Sequence, residues 1–222
     1  MRRLLSIVSV LALTATAAVA ADLPRQMPAK APAYVPVAYN WTGFYLGING
    51  GYGWGRSSWD GFGSGGFNSN GGLVGGTIGY NWQGMGSPWV FGLEGDIDYS
   101  TMRGSYSNAL CPGGCETKNS WLATVRGRVG YAMDRVMPYV TGGLAVGDIQ
   151  ANRAGFGGVT ETRAGWTLGG GIEAAIVDRW TAKIEYLYTD LGSTSCPAAS
   201  CGVTTSADFR ANILRAGLNY RF

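Results

Sequence analysis

The sequence predicts an all-β chain: an eight-stranded antiparallel transmembrane β-barrel with short turns at one end and four longer loops at the other. Three observations predict it. Eight stretches alternate apolar and polar residues at period two, the signature of a strand with one apolar face. The connections between them run long, short, long, short, long, short, long. The apolar faces carry very few charges and are bounded by Trp and Tyr, as lipid-facing strands are.

The first stretch, residues 41–54, puts Phe44, Leu46, Ile48, Tyr52 and Trp54 on one face and Tyr45, Gly47, Asn49, Gly51 and Gly53 on the other. A Gly/Ser-rich loop over 56–70 follows, holding Trp59, Phe62 and Phe67. The second stretch, 71–82, sets Val74, Ile78, Tyr80 and Trp82 against Leu73, Thr77 and Asn81. A short turn over 83–88 leads to the third, 89–100, whose Trp89, Phe91, Leu93, Ile97 and Tyr99 oppose Glu94, Asp96 and Asp98. Residues 101–119 read as a long loop. In the fourth, 120–131, Trp121, Ala123, Val125, Val129 and Tyr131 oppose Thr124, Arg126 and Arg128.

Asp134-Arg135 centres the next short turn. The fifth stretch, 138–147, has Val140, Leu144 and Val146 as its apolar set, and 148–162 is a loop with Phe156. The sixth, 163–177, opposes Trp166, Leu168, Ile172, Ala174 and Ile176 to Thr167 and Glu173. Asp178-Arg179 is a minimal turn. The seventh, 180–190, opposes Trp180, Ala182, Ile184, Tyr186 and Tyr188 to Thr181, Lys183 and Glu185. After a fourth loop over 191–208, the eighth runs over 209–222, with Leu214, Ala216, Leu218, Tyr220 and Phe222 on one face and Arg215, Gly217, Asn219 and Arg221 on the other.

The ends of the chain read differently from the barrel. Arg2 and Arg3, the apolar run 4–13 and Ala18-Val19-Ala20 fit a signal peptide over 1–20 with cleavage before Ala21. That apolar run is too short for a transmembrane helix. Residues 21–40 carry Pro24, Pro28, Pro32 and Pro36, a spacing that blocks helix and strand and gives an extended arm. The barrel then occupies 41–222. Loss of Arg2 and Arg3 takes the formal charge from +3 to about +1, so the basic isoelectric point does not indicate nucleic-acid binding.

The closing residues Leu218-Asn219-Tyr220-Arg221-Phe222 resemble the last strand of Gram-negative outer-membrane proteins. The opening Asn40-Trp41-Thr42-Gly43-Phe44-Tyr45-Leu46-Gly47, the Gly50-Gly51-Tyr52-Gly53 that follows, and the mature start Ala21-Asp22-Leu23-Pro24 complete a resemblance to the small outer-membrane β-barrel proteins of the 25/31 kDa kind in alphaproteobacteria, a porin-like, opacity-type surface group. The resemblance implies a surface antigen of the outer membrane that contributes to envelope integrity. It implies contact with outer-membrane lipid and lipopolysaccharide, with the barrel-assembly machinery through Phe222 as terminal signal, and with a host or environmental ligand at the loops. Short turns would be periplasmic, and an even strand count returns both termini to the periplasm.

Inside such a barrel, acidic Glu94, Asp96, Asp98, Glu173 and Glu185 would meet basic Arg126, Arg128, Lys183, Arg215 and Arg221. Buried charges must pair, so an ion network filling the lumen is expected. An eight-stranded interior is about wide enough for side chains alone. The rival reading of the same charges is the lining of a small passive porin for hydrophilic solutes. A third reading is a loop-borne adhesin or receptor. The 37 glycines have no collagen period, and inward ones would make room for larger side chains. Two aromatic girdles are expected: Trp82, Trp89, Tyr131, Tyr139, Trp180 and Tyr220 beside the short turns, and Trp54, Tyr99, Trp121, Trp166 and Tyr188 toward the loops.

No histidine is present, which removes Ser-His-Asp and Cys-His catalysis and ordinary His-based zinc sites. No P-loop ending follows the Gly-rich segments. The chain is therefore expected to be neither an enzyme nor a holder of metal or cofactor. Export exposes four cysteines to an oxidising compartment. They permit three connectivities, of which the two local bridges Cys111–Cys115 and Cys196–Cys201 are preferred.

Overall fold

A computed structural model describes residues 39–59, 67–108, 111–153, 157–196 and 205–222. The signal peptide expected over 1–20 and most of the expected Pro-spaced arm fall outside these residues. Ten strands are present: β1 (Gly43–Trp59), β2 (Phe67–Gln83), β3 (Trp89–Ser100), β4 (Arg103–Asn108), β5 (Cys111–Lys118), β6 (Trp121–Tyr131), β7 (Val136–Arg153), β8 (Gly157–Val177), β9 (Trp180–Cys196) and β10 (Thr205–Arg221). Eight of them form the wall. β1 pairs with β2, β2 with β3, β3 with β6, and then each neighbour in turn to β10, which pairs back to β1; every pairing is antiparallel. Closure leaves no edge exposed to lipid, as a bilayer requires.

The stagger of the wall can be followed residue by residue. Leu46 pairs with Ile78, then Gly95, Val125, Leu144, Trp166, Asp190 and Arg210, and Arg210 pairs with Arg56. One circuit therefore climbs from Leu46 to Arg56 along β1. Such a shear is what tilts strands in a closed barrel. The climb is even, so the outward face of β1 meets itself in phase.

The period-two faces fall as the sequence predicts. Ile48, Val74, Leu93, Ile97, Leu144, Leu168, Ile172 and Ile184 are all exposed on the outer wall. Tyr45, Asn49, Thr77, Thr124, Thr141, Thr167 and Thr181 are buried within. The strands are longer than predicted. β1, β2, β7, β8, β9 and β10 run beyond the aromatic belt into stretches read as loop, and the expected loop over 101–119 holds the paired strands β4 and β5. In these extensions polar residues appear on the outer face and on much of the inner one, with Ile149 and Leu191 as buried apolar exceptions, so alternation fades although the ladder continues.

Between β3 and β4, and between β5 and β6, the ladder breaks. Asp148 repairs it: its Oδ1 accepts from the backbone N–H of Ser120 at 2.7 Å and of Trp121 at 3.0 Å. Asn119 donates to the Asp148 carbonyl at 2.7 Å. The break lets Met102 turn inward, where it is 1 % exposed. Three connections, at 84–88, 132–135 and 178–179, share one end of the barrel with both ends of the described chain. Asp134 and Asp178 carry positive φ there, at 54° and 45°, a conformation Asp tolerates better than most residues.

Candidate functional site: a sealed barrel interior

The interior is filled in three storeys. At the end carrying the turns, the strand expected to start at Trp41 starts instead at Gly43, and Trp41 folds under the opening. Its ring is 1 % exposed and packs with Val90 and Met137. Its Nε1 donates to the Asp134 carbonyl at 3.1 Å, and its backbone N–H donates to Gln83 Oε1 at 2.9 Å. Tyr39 stacks edge-on against it, with centroids 5.0 Å apart.

The middle storey is ionic. Arg126 reaches Glu94 at 2.5 Å, Asp96 at 2.8 Å and Glu185 at 3.1 Å. Arg128 reaches Glu94 at 3.2 Å and Glu173 at 2.5 Å. Lys183 Nζ lies 2.8 Å from Glu94. Arg215 holds Asp96 and Asp98, each at 2.7 Å, and Glu185 at 2.8 Å. Neutral donors complete it: Tyr45 to Glu94 at 2.7 Å, Thr124 to Asp96 at 2.7 Å, Tyr139 to Glu185 at 2.9 Å, and Thr181 and Asn219 to Glu173 at 2.5 and 3.0 Å. The Arg128 guanidinium also lies over the Tyr139 ring, 4.5 Å from its centroid.

Above the ions, Leu73, Met102, Leu122, Ile149, Leu187, Leu191, Phe209 and Ile213 form a buried apolar cluster. The sequence points to this storey only through the inward phase of Leu73. The other members lie on strand ends where inward and outward residues are both apolar, or in stretches read as loop.

Small residues let these large ones lie flat. Tyr45 on β1, Gly79 on β2 and Glu94 on β3 are register partners across three strands. A Cβ on Gly79 would sit 2.3 Å from the Tyr45 hydroxyl. Tyr139, Gly171 and Glu185 repeat the arrangement on β7, β8 and β9.

Nine of the ten residues expected in the lumen network come together. Arg221 does not. It lies at the rim, over the Tyr39 ring at 4.4 Å, with its guanidinium donating to the Asn40 carbonyl. It sits at the last pair of β10, beyond the reach of the acids. Among the described residues the interior therefore holds five carboxylates, Glu94, Asp96, Asp98, Glu173 and Glu185, against four cations, Arg126, Arg128, Lys183 and Arg215.

Of the aromatic positions, Trp54, Trp82, Trp89, Tyr99, Tyr131, Trp166 and Trp180 are exposed on the outer wall, and Trp121, Tyr188 and Tyr220 are half-buried there among neighbours. Tyr139 is a correction. It is 5 % exposed and points inward, because Val140 next to it takes the lipid face at 63 %. Phe222 closes the ladder: its N–H donates to the Phe44 carbonyl at 2.9 Å. Its ring meets those of Phe44 and Tyr220 at 5.9 and 5.3 Å. The proposed bridges Cys111–Cys115 and Cys196–Cys201 fall outside what is described, since the side chains of Cys111, Cys115 and Cys196 and the whole of Cys201 are not among the described parts, nor are the side chains of Trp59, Phe62, Phe67 and Phe156.

Comparison with known proteins places this architecture. The family model described as "Outer membrane protein beta-barrel domain" matches residues 7–222. The chain is 41 % identical to a 31 kDa outer-membrane immunogenic protein of Brucella melitensis, over 96 % of this chain and 97 % of that protein. It is 34 % identical to a 25 kDa outer-membrane immunogenic protein of Brucella canis, over the full length of both. Among solved structures, the outer membrane protein OprG of Pseudomonas aeruginosa superposes with a TM-score of 0.56 at 16 % identity, covering 82 % of this chain and 98 % of that one. That likeness is one of fold.

Proposed function

Because the chain belongs to the outer-membrane protein β-barrel domain family, we propose that it serves as a non-conducting structural and surface component of the outer membrane. The observation that carries this reading is the filled interior. A solute entering from the turn end would have to displace Trp41, part the ion pairs of Arg126 and Arg215, and cross the cluster around Leu187 and Phe209. Each step removes buried contacts that nothing in the solute replaces.

An enzymatic role has no support from the same residues. The carboxylates that could exchange protons are engaged by guanidinium, ammonium, phenol or hydroxyl donors, and histidine is absent from the chain. The turn end, with both termini, faces the periplasm on this reading, and the long strand extensions carry the loops outward. The extended ladder of β4 and β5 favours a display role for that end.

Planar-bilayer conductance of the purified, refolded mature chain tests the proposal. Circular dichroism and heat-modifiable gel migration first establish folding. A folded protein with no discrete openings is the expected result. Reproducible steps whose size changes in Glu94→Gln or Arg126→Gln would make it a porin instead.

A further inference from the structure

One carboxylate oxygen of the lumen network meets no donor. Glu94, Asp96, Asp98, Glu173 and Glu185 present ten such oxygens, and nine of them accept from a guanidinium, a hydroxyl or an amide. The tenth is Oδ1 of Asp98, a residue with no exposed surface, and it accepts nothing among the described residues. Asp148, the buried acid nearer the loops, gives the contrast. Its Oδ1 accepts from the N–H groups of Ser120 and Trp121, and its Oδ2 from the Gln150 amide.

The surroundings of Asp98 Oδ1 identify what it faces. A Cβ built on Gly75, its register partner on β2, would lie 2.0 Å from it. The oxygen therefore overhangs the glycine, toward β1. There Asn49 is the other register partner of Gly75. Asn49 is 4 % exposed, its Nδ2 donates to Thr77 Oγ1 at 3.0 Å, and its Oδ1 also meets no donor. Two buried acceptors thus share the space over Gly75. The same three strands carry Tyr45, Gly79 and Glu94 in register nearer the turn end, and there the phenol spans the glycine and donates to the acid. Turning the Asn49 amide round would give Asp98 an N–H, and a bridging water would give both oxygens a donor. Neither brings charge. Five carboxylates would still face four cations among the described residues, in an interior where an unmatched charge is strongly destabilising.

We propose that Asp98 Oδ1 and Asn49 Oδ1 bind one monovalent cation, of the sodium or potassium kind, inside the barrel. Carboxylate and amide oxygens suit hard ions. A single positive charge closes the count, where a divalent ion would reverse its sign. The ion clips β1 to β3 across Gly75, as the Tyr45 phenol clips them across Gly79. It also relieves Arg215, whose guanidinium otherwise serves Asp96, Asp98 and Glu185 alone. The site does not depend on whether the barrel conducts, since the charge count is the same in either case.

The test is urea unfolding of the refolded mature barrel in lipid vesicles, in sodium, potassium or choline chloride at one pH and one ionic strength. Heat-modifiable migration first establishes that each variant has folded. The native chain should be most stable in sodium or potassium. Each tenfold rise of that ion above its dissociation constant should raise the folding equilibrium constant about tenfold. Asp98→Asn should fold and lose this dependence, and in choline it should be more stable than the native chain. Asn49→Ala keeps the charge and removes a ligand, so its response should move to higher sodium. Asp178→Asn, in an exposed turn, should respond as the native chain does. Equal stability of the native chain in all three salts would overturn the proposal and assign a proton or a water to Asp98. An undiminished response in Asp98→Asn would overturn it too. Stabilisation by calcium with none by sodium or potassium would overturn the single-charge count.

Discussion

The Tyr139 hydroxyl donates to Glu185 Oε2 at 2.9 Å although a whole strand separates the two residues. The strand between them presents Gly171, and the phenol lies flat across it. A Cβ at Gly171 would come within 3.0 Å of the Tyr139 ring and 2.4 Å of the Ile184 carbonyl. Tyr45, Gly79 and Glu94 do the same on the other side of the barrel. Gly79→Ala and Gly171→Ala should each lower stability by about 1–3 kcal/mol through overpacking. Tyr139→Phe, which keeps the ring, should cost roughly 1 kcal/mol or somewhat more for a bond to a charged group. Urea unfolding in lipid vesicles, followed by tryptophan fluorescence, measures all three. An alanine at 171 as stable as glycine would remove the steric argument.

Asp98 is the surplus acid of the interior. Five carboxylates face four cations there, and Asp98 Oδ1 has no hydrogen-bond partner among the described residues. Asn49 Oδ1 is also unpaired, and Asn49 and Asp98 flank Gly75 in register. An amide at 98 keeps the shape and an oxygen for Arg215, lowers the excess of negative charge that Arg215 shares among three acids, and offers a donor. Asp98→Asn should therefore leave stability unchanged or raise it slightly. Glu94→Gln should behave in the opposite way, costing about 3–5 kcal/mol, because Arg126, Arg128 and Lys183 all converge on that carboxylate. The same urea series compares them, and equal losses at the two positions would sink the charge-count argument.

Leu168 stands 59 % exposed on the outer face of β8. Placing a charge there puts it in hydrocarbon, so Leu168→Arg should weaken insertion by about 2–4 kcal/mol near the midplane. Folding yields into vesicles of thin and thick lipid give the check. Unchanged yield in both would mean that the outer face does not meet lipid at this height.

Phe222 joins the last strand to the first through its backbone bond to Phe44 and its two ring contacts. Its deletion should slow assembly in cells and lower the heat-modifiable fraction at early times, while the protein that does fold keeps its migration. Pulse-labelled samples read the rate. Assembly at the native rate would assign Phe222 to the wall alone.

The wall was legible in the sequence because one rule, alternation, governs every lipid-facing strand. Ile48, Leu93, Leu168 and Ile184 could be placed by counting in twos. The acids and bases of the interior followed from the same count, since a charge out of phase with Leu93 or Ile184 has to face inward. The misplacements share a cause. Tyr139 was assigned by its nearness to a turn instead of by its phase against Val140. Arg221 has the right phase but lies too close to the end of the strand. Trp41 precedes the first paired residue, where strand phase no longer applies and packing alone turns the ring inward. The strand extensions escaped because residues such as Asn68, Ser105 and Glu116 give both faces the same polarity.

The middle storey also dictates an order of events. Asp96 and Asp98 lie on β3, but the guanidinium that joins them belongs to Arg215 on β10, more than a hundred residues later in the chain. Until that strand docks, Asp98 lacks its guanidinium partner, Asp96 has only Arg126, which it shares with Glu94, and an apolar patch around Leu73 and Leu122 waits for Phe209 and Ile213 to cover it. A nascent chain is thus kept from settling as a stable partial sheet, and the ionic interior reports that the ring is complete.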